Sequence, residues 1–408
     1  MASTLKGNAV VGQSGGPTAV INQSLVGVIE SVKKSSAIKR LLGACHGVRG
    51  IIDEQFIDLK PLRKAQLDQV AVTPGSALGS TREKPDEVYC QRIFEVFAKN
   101  DVRYFFYIGG NDSADTARIV NELANEAGHE LRVFHIPKTV DNDLCVTDHC
   151  PGYGSAARFV AAAFMGDDRD GASLPGIKIN VVMGRHAGWL TAASALGRQD
   201  RTDGPHLVYV PEIPFSIKAF TEDVRRTHDR LGRCQIAVSE GIADETGTPV
   251  TVALAMKLGH SVERDSHGNV QLSGSGALGD FLADYLKGQL KSKTKGRSLR
   301  VRADTFGYLQ RSFPGFASPV DQAEARQCGR KAGELAIAGD VDGSVAILRA
   351  KGPRYKVKLV RAELKDVARR TKDLPRTYIN RTGNNVTERF RKYALPLTGG
   401  LPDIGKLR

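Results

Sequence analysis

The chain has 408 residues, which is enough for two or three domains of ordinary size. Hydrophobic residues make up 41% and charged residues 25%, an ordinary globular balance, and no apolar stretch approaches the length of a membrane span. The formal charge of +13 suggests nucleic acid as a partner, but the densest basic run, residues 287–302, contains no aromatic side chain. We therefore expect no nucleic acid and no membrane as a partner, and a positive field that attracts a multiply charged phosphate.

Cysteine usage and the amino-terminal residues bear on the cellular compartment. The six cysteines are scattered along the chain and do not resemble a disulfide framework. The first residues lack the long apolar core of a signal peptide. We therefore expect a cytoplasmic protein with reduced thiols.

The first predicted strand and helix are joined by a glycine turn. Residues 9–11 are apolar and predict a short strand, the turn contains Gly15 and Gly16, and an apolar stripe at helical spacing follows. A glycine turn before a helix exposes backbone N–H groups to an anion. A tight turn without any ligand is the competing interpretation.

The middle of the chain contains two further strands that end in polar clusters. Residues 104–108 form a nearly all-apolar run, typical of a buried parallel strand, and Gly109-Gly-Asn-Asp112 follows it. Residues 114–125 predict a helix, and residues 133–136 predict the next strand. In an open parallel sheet both clusters lie at the carboxyl edge, where ligands bind.

The second of these clusters, residues 137–143, carries acid–base chemistry. Asp141 and Asp143 are two residues apart, so both can face one side of an extended segment. Lys138 adds a positive charge three residues before Asp141. Phosphoryl transfer requires positioning, charge neutralisation and a carboxylate that takes a hydroxyl proton, and this set offers all three. A solvated turn beside a surface lysine is the alternative.

A second series of strands and helices starts near residue 151. Residues 178–182 predict a strand that ends at Met183-Gly184-Arg185, and residues 235–239 predict another that ends at Glu240. An arginine between a strand and a helix is well placed to bind a phosphate bidentately. The pattern predicts a second doubly wound domain.

Residues 274–279 formally match the dinucleotide-binding pattern Gly-x-Gly-x-x-Gly. The acidic residue expected about 20 positions later is missing, and that region is rich in lysine instead. We interpret these glycines as a turn at the entrance of a helix.

The motifs above resemble those of the 6-phosphofructokinase family, and within it those of the pyrophosphate-dependent branch. The family's donor motif is Gly-Gly-Asp followed by Gly in ATP users and by Asp in pyrophosphate users, and here it reads Gly109-Gly-Asn-Asp112. The catalytic loop begins Pro-Gly-Thr in ATP users and Pro-Lys-Thr here, at residues 137–139. The resemblance extends by motif from residue 9 to residue 311 and weakens toward the carboxyl terminus.

This resemblance implies an α/β fold of two doubly wound three-layer αβα domains with the active site in the cleft between them. Residues 1–150 with about 312–350 would bind the phosphoryl donor, residues 151–311 would bind fructose 6-phosphate, and residues 351–408 would form a basic extension. A homodimer or homotetramer is expected, because Arg302 matches an arginine that family members lend to a neighbouring subunit.

The resemblance also assigns roles to individual residues. Asp141 matches the catalytic base, Lys138 can neutralise the leaving phosphate, and a carboxylate at Asp112 would repel the α-phosphate of ATP. Gly15 matches a contact to the donor. The positions matching the family's substrate-binding residues are Thr139, Val140, Asp141, Met183, Gly184, Arg185, Glu240, Arg302, Tyr308 and Arg311. The expected cofactor is Mg²⁺, and Asn111 stands where the family has a metal-associated aspartate.

The implied reaction moves a phosphoryl group from pyrophosphate to the 1-hydroxyl of fructose 6-phosphate, reversibly, as a step of glycolysis. Two other hypotheses stay open. One is an ATP-dependent 6-phosphofructokinase that tolerates Asp112 and Lys138, and the other is a basic nucleic-acid-binding protein without catalysis. The sequence contains no Gly-x-x-x-x-Gly-Lys-Ser/Thr motif, which argues against an ordinary P-loop NTPase.

Overall fold

The computed structural model of the chain describes residues 5–257, 276–290, 299–352 and 354–407. Two compact units divide the chain: unit 1 comprises Met1–Ala156 and Arg311–Lys372, and unit 2 comprises Ala157–Gln310 and Asp373–Arg408. The strands are β1 (Gly7–Gln13), β2 (Ile38–Ala44), β3 (Phe56–Asp58), β4 (Val102–Gly109), β5 (Arg132–Pro137), β6 (Ile177–Val182), β7 (Leu207–Tyr209), β8 (Cys234–Ser239), β9 (Val301–Thr305), β10 (Asp342–Arg349) and β11 (Val357–Ala362).

The helices follow the same numbering in chain order. They are α1 (Ile21–Val32), α2 (Val48–Ile52), α3 (Lys64–Val72), α4 (Glu87–Lys99), α5 (Asn111–Glu126), α6 (Tyr153–Ser173), α7 (Trp189–Ala193), α8 (Ile217–Leu231), α9 (Val250–Lys257), α10 (Ala277–Gln289), α11 (Leu309–Ser312), α12 (Pro319–Ala338), α13 (Leu364–Val367) and α14 (Glu388–Ala394). Short 3₁₀ helices cover Ser194–Gly197, Arg376–Tyr378 and Leu395–Thr398. Among the helices that the structure describes, none combines the length and the apolar character needed to cross a bilayer.

Unit 1 contains a seven-stranded sheet with the order β11-β10-β5-β4-β1-β2-β3. The pairings from β10 to β2 are parallel, and the two outermost pairings, β10–β11 and β2–β3, are antiparallel. The predicted strands of this unit are confirmed as β1, β4 and β5. Because these three strands are adjacent and parallel, the segments that follow them leave the sheet at one edge.

Helices cover both faces of this sheet because successive residues of a strand point to opposite faces. Val11 and Phe106 join the core formed with α1, α3 and α12. Val10 and Phe105 join the core formed with α4 and α5 on the other face. The nearly continuous apolar run of β4 is thus buried on both sides, and unit 1 has the predicted three layers.

Unit 2 contains a four-stranded parallel sheet with the order β7-β8-β6-β9. One face packs Ile179 and Ile236 against apolar side chains of α8 and α10. On the other face, the Asn180 side chain donates to the Asp167 carboxylate of α6 at 2.8 Å. The prediction of a second three-layer α/β domain is confirmed.

The carboxyl-terminal residues are divided between the two units, whereas the sequence analysis expected one separate extension from residue 351. Strand β11 pairs antiparallel with β10 and therefore belongs to unit 1. In unit 2 the rings of Tyr378 and Tyr393 lie 5.9 and 5.3 Å from the Trp189 ring. Strand pairing and aromatic packing therefore incorporate residues 351–408 into both units. The binding of the donor by one domain and of the sugar by the other stays a prediction.

Two sequence motifs fall partly outside the described residues. Of the glycine pattern at 274–279, residues 274 and 275 are not described, and Gly276 precedes α10 with a φ of 67°. That glycine opens a helix, as expected. Of the basic run at 287–302, residues 291–298 lie outside the described part of the chain.

A glycine on α12 permits the close approach of α12 to α1. A Cβ added to Gly329 would lie 2.0 Å from the backbone oxygen of Ser24, a contact that neither helix can relieve without moving. We expect Gly329→Ala to lower the free energy of unfolding by about 1–3 kcal/mol through overpacking. Gly288 of α10 is the control, because nothing lies within 4 Å of its added Cβ.

Gly288→Ala should raise the free energy of unfolding by at most about 0.5–1 kcal/mol, because alanine favours a helix over glycine and Gly288 is close to the end of α10. Urea unfolding of both variants, followed by circular dichroism, makes the comparison. Equal stabilisation by the two substitutions would contradict the close contact between α1 and α12.

Candidate active site

The turns after β1, β4 and β5 are bonded to one another in unit 1. The Ser14 N–H donates to the Ile108 oxygen and the Lys138 N–H to the Gly109 oxygen, both at 2.9 Å. Gly15 follows with a φ of 75°, a conformation that favours glycine. A Cβ added to Gly15 would lie 3.0 Å from the Lys138 ammonium nitrogen. The predicted donor turn and the predicted lysine are therefore in close contact.

Lys138 is buried at the centre of this edge, with 4% of its surface exposed. Its Nζ donates to the Gly16 carbonyl oxygen at 2.9 Å. Burial lowers the pKa of Lys138 to about 8; the carboxylates of Asp141 and Asp143 oppose this shift, and the Arg311 guanidinium adds to it. A buried cation that titrates near neutral pH beside two carboxylates is typical of a functional site.

The loop carrying the two carboxylates is folded back on itself. Asn142, between them, is buried with a φ of 57°, and its side-chain oxygen accepts the Cys150 N–H at 3.0 Å. The prediction that Asp141 and Asp143 share one side of an extended segment is therefore wrong in its geometry. Both carboxylates nevertheless raise the pKa of Lys138, against the larger effect of burial.

Thr139 and Val140 complete the catalytic loop. The Thr139 hydroxyl oxygen accepts the Asp141 N–H at 3.1 Å, and Val140 is buried. Burial raises the pKa of Asp143, while a hydrogen bond with the Thr139 side chain opposes that rise. Thr139 thus bonds to both acidic residues of the loop.

Two buried residues that the sequence analysis missed support these turns. The Asp321 carboxylate accepts the N–H groups of Gly152 and Ser155 at 2.9 and 2.8 Å, and burial raises its pKa to about 6. Burial lowers the pKa of His135 to about 4, so its neutral ring donates from Nε2 to the Gly109 oxygen at 2.9 Å. Neither residue has a local sequence signal, because their partners are distant in the chain or belong to the backbone.

Asn111 and Asp112 open α5 directly after the glycine turn. The Asn111 side-chain oxygen accepts the Asp112 N–H at 2.9 Å. The Asp112 carboxylate forms an ion pair with Lys84, with Oδ2 and Nζ 3.0 Å apart. The sequence offers no signal that separates Lys84 from other exposed lysines.

The described residues contain no group of three His, Cys, Asp or Glu side chains arranged to hold a metal ion. Mg²⁺ typically binds through one or two carboxylates, substrate phosphates and water, so it does not require such a group. Asn111 follows β4 and Asp143 lies in the loop after the adjacent strand β5, and both side chains offer the oxygen atoms that Mg²⁺ prefers. The residues present therefore fit a cation that is shared with a phosphate-bearing ligand.

Arg311 is the first residue of the second segment of unit 1. Its Nη1 atom lies 2.9 Å from the position of a Cβ added to Gly16. The family resemblance implied that Arg311 binds the sugar phosphate together with Tyr308. The structure brings the Arg311 guanidinium to the same glycine turn that Lys138 contacts.

In unit 2, the carboxyl ends of β6 and β8 bring four predicted residues together. The Gly184 N–H donates to the Glu240 carboxylate at 3.4 Å, and the Met183 N–H donates to the Gln310 side chain at 3.2 Å. Gly184 has a φ of 141°, which favours glycine, and Arg185 follows it. Arg185 is only half-buried, so this group offers a guanidinium beside the buried Glu240 carboxylate, a combination that can bind a phosphorylated polyol.

Glu212 supports this group and was also missed. Its Oε1 atom accepts the N–H groups of Gly188 and Leu374, at 2.8 and 2.9 Å, and burial raises its pKa. It fixes Gly188, which lies three residues after Arg185 and directly before α7.

Arg302 and Tyr308 lie in different parts of unit 2. Arg302 pairs with Lys178 in the sheet, five residues before Met183 and thus ~16 Å away along the strand. The structure therefore does not bring Arg302 into the group around Met183. Tyr308 is half-exposed and is two residues from Gln310, which bonds to Met183.

Unit 1 also contains a cavity of about 490 Å³ beside the donor turn. Its lining includes His46, Arg49, Ser80, Thr81 and Arg82. This volume falls in the range of about 300–1,000 Å³ typical of ligand pockets.

Residues 8–336 match the family model described as phosphofructokinase. The chain belongs to the phosphofructokinase family. It is 54% identical over 404 residues, covering 99% of this chain and 97% of the relative, to the pyrophosphate--fructose 6-phosphate 1-phosphotransferase of Rhodospirillum rubrum. A protein of the same name from Halomonas elongata is 38% identical over 98% of this chain and 96% of its own length.

A solved phosphofructokinase has the same fold. The crystal structure of the pyrophosphate-dependent phosphofructokinase of Marinobacter aquaeolei matches this chain with a TM-score of 0.83 and 33% identity, covering 98% of this chain and 94% of that one. The family and the fold predicted from the sequence are confirmed by these comparisons. The strand-end motifs that carried the prediction lie within the matched residues 8–336 of this phosphofructokinase.

Proposed function

We propose that this phosphofructokinase transfers a phosphoryl group from pyrophosphate to the 1-hydroxyl of fructose 6-phosphate, giving fructose 1,6-bisphosphate and phosphate in a reversible reaction. The observation that carries the proposal is the buried Lys138 cation against the Gly15–Gly16 turn, with Asp141 and Asp143 acting on it. The names of the relatives at 54% and 38% identity support the choice of donor and acceptor.

The donor half of the reaction uses residues of unit 1. The Gly15–Gly16 turn would lie against the phosphates of pyrophosphate, and the Lys138 cation, which contacts this turn, would neutralise the charge that accumulates on the leaving phosphate. Asn111 and Asp143 would hold Mg²⁺ together with the pyrophosphate oxygens, and the ion would neutralise part of the donor's charge. Asp112, at the start of α5, would take part in selecting pyrophosphate over a nucleotide donor.

Asp141 accepts the proton of the sugar 1-hydroxyl as that oxygen attacks the phosphorus atom. Thr139 orients the carboxylate through its bond to the Asp141 backbone, and Asp143 is bonded to the same threonine. Val140 packs in the core and fixes the loop. The 1-hydroxyl therefore loses its proton to Asp141 while the Lys138 cation neutralises the negative charge on the leaving phosphate.

Fructose 6-phosphate is the ligand of the group in unit 2. Met183, Gly184 and Arg185 would bind the sugar and its phosphate, and Glu240 would accept hydrogen bonds from sugar hydroxyls. Tyr308 would contact the sugar phosphate. Arg311, whose guanidinium reaches the Gly16 turn, would act on the phosphoryl donor. Arg302, because it lies ~16 Å along the strand from Met183, would serve a neighbouring subunit of a homodimer or homotetramer. We assign the enzyme to the cytoplasm, where its six free thiols would stay reduced.

A donor comparison tests the proposal. Purified protein with Mg²⁺ and fructose 6-phosphate receives either pyrophosphate or ATP, and fructose 1,6-bisphosphate is measured with aldolase and a dehydrogenase. We expect kcat/KM for pyrophosphate to exceed that for ATP by at least about 100-fold, the scale that a charged discriminating group can supply. A preference for ATP would favour the alternative of an ATP-dependent phosphofructokinase.

The reaction should depend on the protonation of Lys138. Because burial lowers the pKa of Lys138 to about 8, the charged form is present below that pH and is lost as the pH rises through it. We therefore expect kcat/KM for pyrophosphate to fall above about pH 8, since this constant reports groups of the free enzyme. Lys138→Arg, whose guanidinium stays charged, should lose this decline.

Pyrophosphate itself titrates in the same range, so the comparison of the two proteins is the decisive measurement. The pH profiles are recorded with identical pyrophosphate and Mg²⁺ concentrations. The same alkaline decline in the wild type and in an active Lys138→Arg variant would contradict the role of Lys138.

A further inference from the structure

The ion pair between Lys84 and Asp112 joins the loop before α4 to the start of α5 in unit 1. Nζ of Lys84 and Oδ2 of Asp112 are 3.0 Å apart, and the two side chains are 50% and 55% exposed. An ion pair this exposed contributes little to folding stability. The property of the pair that can bear on function is therefore its effect on the charge at the start of α5.

The loop that carries Lys84 is fastened to the donor turn. The Gly15 N–H donates to the Thr81 carbonyl oxygen at 2.9 Å, and the Ser80 hydroxyl donates to the Gly15 carbonyl oxygen at 2.6 Å. The Thr81 hydroxyl in turn accepts the Glu83 N–H at 3.1 Å. Lys84 lies three residues after Thr81, which is bonded to the Gly15 turn. The charge of Lys84 would therefore act on a phosphoryl donor bound at this turn.

A paired carboxylate repels a phosphate less than a lone carboxylate does, because the ammonium beside it cancels most of its field at a distance. Repulsion by Asp112 alone is therefore a weak barrier to a nucleotide. The second consequence of the pair is stronger: an ammonium engaged by Asp112 is not available to neutralise any other anion.

The available volume does not exclude a nucleotide from this side of unit 1. The cavity of about 490 Å³ is lined by Ser80, Thr81 and Arg82, which belong to the same loop as Lys84. A larger group has room beside this loop, so volume alone does not select the smaller donor and charge near the phosphates can.

We propose that Lys84 is a specificity-determining residue: Asp112 holds its ammonium in an ion pair and so withholds it from the internal phosphate of a nucleoside triphosphate. The inference rests on the proposed function, since it concerns the choice between pyrophosphate and a nucleotide donor. It also explains why an acidic residue can discriminate even though a cation neutralises it.

A double-mutant cycle tests this inference with wild type, Lys84→Met, Asp112→Gly and the combination of both. In Asp112→Gly the released ammonium should raise kcat/KM for ATP and lower the inhibition constant of ATP against pyrophosphate. Lys84→Met in that background should remove most of the gain, with a coupling of at least about five-fold. Lys84→Met alone should leave Asp112 unpaired and weaken pyrophosphate use modestly.

Lys39→Met is the matched control. Lys39 pairs with Asp101 at 2.7 Å with similar exposure of 58% and 41%, but it lies at the start of β2, near the amino edge of the sheet. It should change neither donor constant. The proposal is overturned if the two substitutions act independently on ATP, or if Asp112→Gly neither uses nor binds ATP better than wild type. Failure of the wild type to use pyrophosphate would overturn the proposed function instead.

Discussion

Replacing Asp141 by serine should lower kcat with pyrophosphate by at least about 100-fold, the smaller end of the effect of losing a general base. A serine hydroxyl cannot take the proton of the attacking 1-hydroxyl at neutral pH. The hydrogen bond that orients this position is kept in the variant, because residue 141 contributes only its backbone N–H to the Thr139 hydroxyl. The loss should therefore appear in kcat, while KM for fructose 6-phosphate changes little.

The control for this substitution is Asp58→Ser, which removes an exposed carboxylate from β3 of the same sheet. It should leave turnover unchanged. Steady-state kinetics of both variants with pyrophosphate make the comparison, with circular dichroism to check folding. Turnover of Asp141→Ser within a few-fold of the wild type would remove Asp141 as the base.

Replacing Lys138 by methionine should lower kcat by about 100- to 1,000-fold, the scale seen when one charge-stabilising group is removed from a site shielded from water. Methionine keeps the length of the side chain but cannot neutralise the leaving phosphate. Because burial lowers the pKa of Lys138, the charged form is costly to the folded protein. The variant should therefore unfold at an equal or higher temperature than the wild type, which separates a catalytic loss from a folding defect.

Lys60→Met is the control for Lys138. Its Nζ also donates to a backbone oxygen, that of Ile38 at 2.6 Å, but at the start of β2. Kinetics with pyrophosphate and thermal unfolding are measured on both proteins. Equal losses of activity in the two variants, or a Lys138→Met protein that turns over normally, would contradict the role of Lys138.

The parts of this site that could be predicted from the sequence are those formed by residues that are consecutive in the chain. The apolar runs that became β4 and β5 end directly at Gly109 and Lys138, and parallel strands bring such ends to one edge. The same local reasoning failed at Asn142, whose left-handed backbone turns the loop between the two carboxylates. No residue type in that segment requires such a turn, because asparagine also occurs in extended chains.

The unpredictable parts depend on contacts between distant residues. Asp321 lies 169 residues from Gly152, whose N–H it accepts, and His135 lies 209 residues from Ser344, which it contacts at 2.8 Å. Lys84 lies beside Asp112 because the loop that carries Lys84 is bonded to the Gly15 turn. Residues 351–408 were expected to form a separate extension because they are basic and contain several prolines, whereas Tyr378 and Tyr393 pack on Trp189.

The most direct test of the account follows phosphorus itself. Fructose 6-phosphate, pyrophosphate and Mg²⁺ are incubated with the purified enzyme without any nucleotide, and the mixture is observed by ³¹P NMR. We expect the pyrophosphate signal to be replaced by equal amounts of inorganic phosphate and a new sugar phosphate ester at the 1-position, with the 6-phosphate retained. Release of two phosphates from each pyrophosphate without a new ester, or no reaction until ATP is added, would contradict the account.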